Sequence, residues 1–317
     1  MEKKEKKSRR LTQKSLDEII RRHEMWLDSD GEAGEQADLS YTDLSGLNLV
    51  NANLRGANMD SVNLVFASLA NADMGNAYLF GANLAGANLT NANLREANLE
   101  CSYLEGANLL AANLLGAKLT GAELICANLE HANLMIVNLA DINLKHANLR
   151  VANLKGANLT RANMKFANLK GANLTRADLT FADLKDANLK LADLTGVNLT
   201  NVKNLPDISM VCPETGLIIC WKKALGDFII KLEIPEDAKR SSAIGSRKCR
   251  CNKAKVLSIE HLDGTPAEVT SVQSKHYPDF IYKVGETVEV PDFDENRFRE
   301  CSTGIHFFMT RGEAFAY

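Results

Sequence analysis

Between residues 39 and 199 the chain repeats every five residues without an insertion or deletion. That short, odd period excludes most ways a polypeptide can fold. With the central residue of each unit as place 0, Leu recurs there through 33 units, replaced by Met only at Met59, Met74 and Met164. Place −2 is Ala in most units and place −1 is mostly Asn or Asp. A helix cannot use this pattern, because a five-residue step turns the apolar place by about 140° and no face forms. A continuous strand fails as well, since an odd period sends alternate Leu to opposite sides. The pattern becomes consistent if the chain bends once per unit, with places −2 and 0 inward and places +1 and +2 making a corner. Gly is frequent at place +2 (Gly81, Gly86, Gly106, Gly156, Gly171), as a turn with unusual dihedrals favours. Asn or Asp at place −1 bonds nearby backbone.

With these residues in view, the chain resembles the pentapeptide-repeat family, whose unit is written A(D/N)LXX. The resemblance covers residues 37–202 and implies a mainly β fold, a right-handed quadrilateral β-helix. Four units close one coil, giving about eight coils, and at about 4.8 Å per coil a stack of roughly 40 Å.

The flanking segments are not repeats. Residues 1–11, with six Lys or Arg among the first ten, read as a disordered basic tail. Residues 12–36 read as an N-terminal capping helix and linker, with Thr12 as N-cap and Leu16, Ile19, Ile20, His23, Trp26 and Leu27 on one face. His23 there reads as a packing residue beside Trp26. Residues 203–317 read as a small β-rich α+β domain. Its β-type runs include GLIICW, FIIKLEI, KVLSIE and GIHFFM, with a hairpin turn at Gly226-Asp227 and a short terminal helix in TRGEAFAY. RKCRCNKAKVLSI, FIYKVGETV and CSTGIHFFMTRGEA resemble an uncharacterised domain that follows pentapeptide repeats in bacterial and phage proteins.

No P-loop, GxSxG, HExxH or dinucleotide glycine fingerprint is present, so the chain reads as a non-enzyme without a cofactor. Seven cysteines scattered over 317 residues make no disulfide framework and argue for a reduced, cytoplasmic setting. No apolar run is long enough for a membrane span, so no membrane partner is expected.

Three groups of residues are candidates for contact. Outward apolar residues at corner places, Leu110, Leu115, Ile125, Met135, Ile136 and Phe166, suggest a protein-contact site in mid-stack. Residues twenty apart lie one above another, so Lys145, Lys165 and Lys185 form one column of a basic face, and Arg150, Lys170 and Lys190 another. The acid-free segment from Ala238 to Lys255 contributes Lys239, Arg240, Arg247, Lys248 and Arg250 as anion-binding candidates, opening nucleic acid as a second partner class. A weaker set, Cys249, Cys251, Cys301 and His306, has metal-ligating residue types without a recognised zinc spacing.

The expected function is therefore a protein-interaction scaffold with an unidentified protein partner, and a homodimer through the C-terminal domain is compatible with it. The resemblance also implies an alternative, since some members of the family mimic DNA and protect type II topoisomerase from quinolones. Mimicry needs a continuous acidic face. Residues 37–130 carry three basic and nine acidic residues, whereas residues 131–202 carry nine basic and five acidic. The charge changes sign along the stack and fits that alternative poorly.

Overall fold

A computed structural model describes residues 9–206, 211–242, 247–275, 280–295, 297 and 302–317. The chain divides into two compact units, Met1–Pro206 and Asp207–Tyr317.

In the first unit every pentapeptide contributes one bridge-forming side and one turn. Parallel bridges join each residue at place −1 to the residue twenty further on, from Asp38–Asn58 through to Asp183–Lys203. Four units thus complete one circuit, and the four sides define faces 1 to 4, starting at Leu39, Leu44, Leu49 and Leu54. Bonding alternates in direction. Asn58 donates its N–H back to Ala37 O at 2.9 Å, and Leu39 N–H donates forward to Asn58 O at 2.7 Å. Places −2 and 0 point inward and are buried almost throughout; Leu64, Leu84, Leu104 and Leu154 have no exposed surface. Each such Leu contributes about 1.5–3 kcal/mol relative to an exposed one. At place −2 Ser102 replaces Ala and stays buried because its hydroxyl donates to Leu99 O at 2.7 Å.

The corners explain the composition of places +1 and +2. Each closes with a bond from residue i+3 to the Leu carbonyl, as from Leu47 N to Leu44 O at 3.0 Å. Positive φ falls on place +2 in every unit from Tyr41 to Asn201, the dihedral signature of a type II turn. Glycine fills only some of these corners; Ile136 (φ 59°) and Val151 (φ 57°) are β-branched residues held in the left-handed region. Such a residue costs about 1–2 kcal/mol, which the surrounding ladder offsets.

Asn at place −1 has two tasks. Along face 3, Asn128 donates Nδ2 to Asn108 Oδ1 (2.9 Å), Asn148 to Asn128 (3.0 Å) and Asn168 to Asn148 (3.1 Å). The same Oδ1 atoms accept the N–H two residues on, as from Glu130 to Asn128 at 3.3 Å. Each Asn therefore fixes its own turn and the next coil together.

The first coil has no preceding coil, so some of its backbone groups lack ladder partners. A short strand with the adjoining Leu11, and side chains of the helix that follows, meet several of them. Strand β1 (Arg9–Arg10) pairs in parallel with β2 (Thr42–Asp43), and Leu11 N donates to Asp43 O at 3.1 Å. Helix α1 (Gln13–Asp28) starts at Thr12, whose hydroxyl accepts from Ser15 N. Gln13 uses its side-chain amide as a strand would, donating to Asn48 O (2.8 Å) and accepting from Asn48 N (2.9 Å). His23, fully buried and stacked on Trp26, accepts from Ala37 N through Nδ1 and donates to Arg55 O through Nε2, both at 3.1 Å. These contacts correct the boundary of the basic tail. Residues 9–11 are paired or buried because they supply a missing strand, and residues 1–8 lie outside the described residues.

The second unit is a set of small antiparallel sheets. Strands β3 (Ile218–Lys223), β4 (Phe228–Ile234), β7 (Lys253–His261) and β10 (Thr287–Glu289) form one sheet in the order β10-β7-β4-β3. β3 and β4 make a hairpin whose turn has positive φ at both Gly226 and Asp227. A second sheet, β11-β6-β5, joins β5 (Arg240–Ser242), β6 (Cys249–Cys251) and β11 (Ile305–Phe307). β8 (Ser271–Gln273) pairs with β9 (Ile281–Lys283). The terminal helix α2 (Arg311–Ala316) begins with a capping box between Thr310 and Glu313.

Candidate functional site

The twenty-residue register places every outward residue of the first unit. Call the corner after each face by that face's number. Lys145, Lys165 and Lys185 then stand in one column on corner 2, and Arg150, Lys170 and Lys190 in one column on corner 3. The two columns flank the Asn ladder of face 3. Their charges are not equally available. Arg150 is paired with Glu130, and Lys165 Nζ lies 3.2 Å from Asp183 Oδ2. Lys145, Lys170, Lys185 and Lys190 have no carboxylate within ion-pair distance among the described residues. On corner 2, Phe166 stacks on His146 with ring centroids 4.8 Å apart and remains exposed beside the lysines.

The six apolar candidates do not form one patch. Leu115, Met135 and Ile136 lie on corner 4, Ile125 and Phe166 on corner 2, and Leu110 on corner 3. Corners 2 and 4 are separated by two faces of the coil. Ile136 is 70% exposed, whereas Leu110, Leu115, Ile125 and Met135 are half-buried against neighbouring coils.

The structure adds a group that the sequence reading missed. Tyr78, Phe80 and Tyr103 are exposed on faces 1 and 2 and the corner between them, with Phe66 nearby on corner 2. Asp60, Glu100, Glu105 and Glu123 share those faces and corners. The signal was legible, because Tyr78 and Tyr103 occupy place −1, where Asn is the rule.

In the second unit the anion-binding reading needs correction. The described parts of the segment supply strands β5 and β6 and the start of β7, and three of its five candidate cations are buried. Arg240 is a backbone clamp. Its Nη1 donates to Gly216 O (2.8 Å) and Pro213 O (3.4 Å), its Nη2 to Pro235 O (2.7 Å) and Glu236 O (3.3 Å), and its Nε to Ala238 O (3.3 Å). Arg250, 1% exposed, donates Nε to Asp294 O at 3.0 Å. Lys248 is also buried. Arg247 pairs with Glu313 and Lys239 with Glu295, both at the surface. Arg240 and Arg250, turned inward to hold carbonyls, are not offered to a polyanion, whereas Lys248 donates to the Tyr317 hydroxyl.

The metal set is divided by strand parity. Across β6 and β11, Cys249 faces Phe307 and Cys251 faces Ile305, while Arg250 faces His306. His306 therefore lies on the opposite side of the sheet from both thiols. Its Nε2 donates to Ser302 O at 2.9 Å, and Cys251 Sγ lies 3.8 Å from Ile305 O. The neighbouring thiol of Cys212 and then burial push the Cys249 thiol well above the ordinary range, and burial does the same to Cys251. Cys301 lies outside the described residues. No group of three metal-ligating side chains occurs among the described residues, and among them no helix is long and apolar enough to cross a membrane.

Comparison with known proteins adds the following. The pentapeptide-repeat family model, in eight copies, matches residues 37–76, 72–109, 97–135, 138–176 and 172–203, together more than half of the chain. Residues 208–314 match a family of unknown function (DUF5758). Among solved structures, HetL, a pentapeptide repeat protein involved in heterocyst differentiation regulation from the cyanobacterium Nostoc sp. strain PCC 7120, is 34% identical. That match covers 58% of this chain and 92% of HetL, with a TM-score of 0.24. The plasmid-mediated fluoroquinolone resistance protein QnrB1 is 19% identical over 54% of this chain and 91% of its own, with a TM-score of 0.32. A pentapeptide repeat protein of the Arabidopsis thaliana thylakoid lumen is 31% identical over 31% of this chain and 66% of its own, with a TM-score of 0.24. No curated protein matches the chain. The unbroken five-residue period, the twenty-residue bridge register and the family match agree, and the chain belongs to the pentapeptide-repeat family.

Proposed function

We propose that the protein is a non-enzymatic interaction scaffold: a right-handed stack of about eight coils, covered at its N-terminal end by α1, that offers face 3 of its second half to an acidic surface of a protein partner. One observation carries this reading. Lys145, Lys170, Lys185 and Lys190 stand in two adjacent columns with no carboxylate within ion-pair distance among the described residues, next to the exposed Phe166–His146 stack. A regular ladder fixes the spacing of these charges, so the surface is preorganised before any partner arrives. Repeat stacks with long regular faces serve as binding surfaces for the same reason.

The test is capture of partners by the full chain and by a variant with Lys145, Lys170, Lys185 and Lys190 all changed to Glu. Loss of the captured protein in the variant, with capture by the parent weakening as salt rises, supports the reading. Capture unchanged by the four substitutions overturns it. The topoisomerase-protecting alternative gains nothing from this surface, because the exposed lysines interrupt any acidic track. A gyrase supercoiling assay with a quinolone checks it, and clear protection by the protein would reverse the ranking.

A further inference from the structure

The alternation of β3 carries a lysine into the C-terminal unit. Ile218 and Cys220 point inward, and Lys222 follows on the same side of the strand. Lys222 is 9% exposed, and its ammonium donates to His306 O at 3.3 Å and lies 5.6 Å from the centre of the Tyr282 ring. Neither partner carries a negative charge. Lys248 reaches the same region from the residue before β6, donating to the Tyr317 hydroxyl at 2.7 Å over the face of that ring.

Lys222, Lys223, Lys248, Lys275, His306 and Tyr317 line one small cavity of about 20 Å³, room for a single water-sized group. Among the described residues, Lys222, Lys223 and Lys275 have no carboxylate within ion-pair distance; Lys223 donates instead to Phe315 O at 3.4 Å. A buried ammonium without a counter-anion is unfavourable. Burial first, and Lys248 second, push Lys222 down to about 8. Burial, then Lys248 and Lys222, push His306 down to about 3, so the imidazole is neutral and the positive charge belongs to the lysines. Ammonium groups from three separate segments, with a phenolic hydroxyl among them, suit a compact oxyanion; lysine binds phosphate as a point charge.

We propose that this cavity binds a phosphate-type oxyanion, with one oxygen held between Lys222 and Lys248 and the rest of the group met at the mouth by Lys223 and Lys275. The site is made wholly within the C-terminal unit and does not depend on the scaffold reading. Free phosphate and the phosphate of a monoester share this chemistry.

The test is calorimetric titration of the full chain with inorganic phosphate, with glycerol 3-phosphate and, at matched ionic strength, with chloride. The parent is expected to bind phosphate saturably and more tightly than chloride. Lys222→Met, which keeps the apolar stem, and Lys275→Met, at the exposed rim, are each expected to weaken binding about tenfold or more, the worth of one charge-assisted hydrogen bond. Circular dichroism verifies that each variant is folded. Phosphate binding without the monoester assigns the site to free phosphate; binding of both extends it to phosphorylated ligands. Absence of saturable phosphate binding, equal binding of chloride, or unchanged affinity in Lys275→Met together with a folded Lys222→Met overturns the proposal.

Discussion

The ring of Phe66 lies where a side chain on Gly86, twenty residues on, would begin: a Cβ built there would come within 2.4 Å of Phe66 Cε1. Gly86 has φ 65°, and so does its neighbour in the same column, Gly106, within a degree (φ 64°), but nothing lies within 4 Å of a Cβ at Gly106. Both Gly86→Ala and Gly106→Ala are expected to lose about 1 kcal/mol from the left-handed backbone. Gly86→Ala is expected to lose about 0.5–1 kcal/mol more, for moving the exposed ring off its rotamer. Chemical denaturation of the two variants measures the difference, and Phe66→Ala should abolish it. Equal losses in the two single variants would show that the ring moves aside freely.

His23 joins α1 to the first coil through two backbone bonds and has no exposed surface. His23→Ala leaves Ala37 N–H and Arg55 O without their partner and opens a cavity, at a cost of about 2–4 kcal/mol. Hydrogen exchange should then accelerate in residues 13–28 and in the first coil while later coils keep their protection. Uniform acceleration along the stack would contradict a local role.

Acid should weaken both units through buried histidines. Burial lowers the pKa of His23, and burial first, then Lys248 and Lys222, lower that of His306 to about 3 from the unfolded value near 6.5. Below that unfolded value the unfolded chain binds protons that the folded chain does not, so stability falls as pH falls. For His306 the loss spreads over the window from about 6.5 to about 3 and reaches roughly 2 kcal/mol by pH 5. Comparing urea midpoints of the C-terminal unit at pH 7.5 and pH 5, followed by Trp221 fluorescence in a Trp26→Phe background, measures this. His306→Gln keeps a donor for Ser302 O and should flatten the dependence; an equally steep loss in that variant would assign the acid sensitivity elsewhere.

Arg240→Lys is expected to cost about 3 kcal/mol or more, because one ammonium cannot reach the five carbonyls that the guanidinium fork holds. The same fluorescence-detected urea unfolding tests it. A change below about 0.5 kcal/mol would return Arg240 to the class of replaceable surface cations.

The first unit was legible because its period is a statement about geometry. Leu at place 0, Ala at place −2 and Gly at place +2 already demanded one bend per five residues. The β3–β4 hairpin was legible for a similar local reason, two apolar runs around Gly226-Asp227. The segment from Ala238 to Lys255 was not. Its charges read in sequence as anion-binding candidates, yet Arg240, Lys248 and Arg250 are buried where β6 pairs with β5 on one side and β11 on the other. Lys222 left a trace in IICWKK, where strand parity turns it inward with Ile218 and Cys220, but its neighbours Lys248 and Tyr317 are distant in sequence.

The repeat, the inward places, the corners and the columns of charge all follow from the local sequence, since a five-residue unit that closes in four steps leaves each residue one position on the coil. Which charges are available was settled by long-range packing. It paired Arg150 with Glu130 and Lys165 with Asp183, left Lys170 and Lys190 with no carboxylate within ion-pair distance among the described residues, placed His306 on the far side of a sheet from Cys249 and Cys251, and gathered lysines from separate segments around one cavity. The physical reason is range. Turn geometry and ladder register follow from neighbours along the chain, whereas burial and charge pairing depend on which distant segments meet.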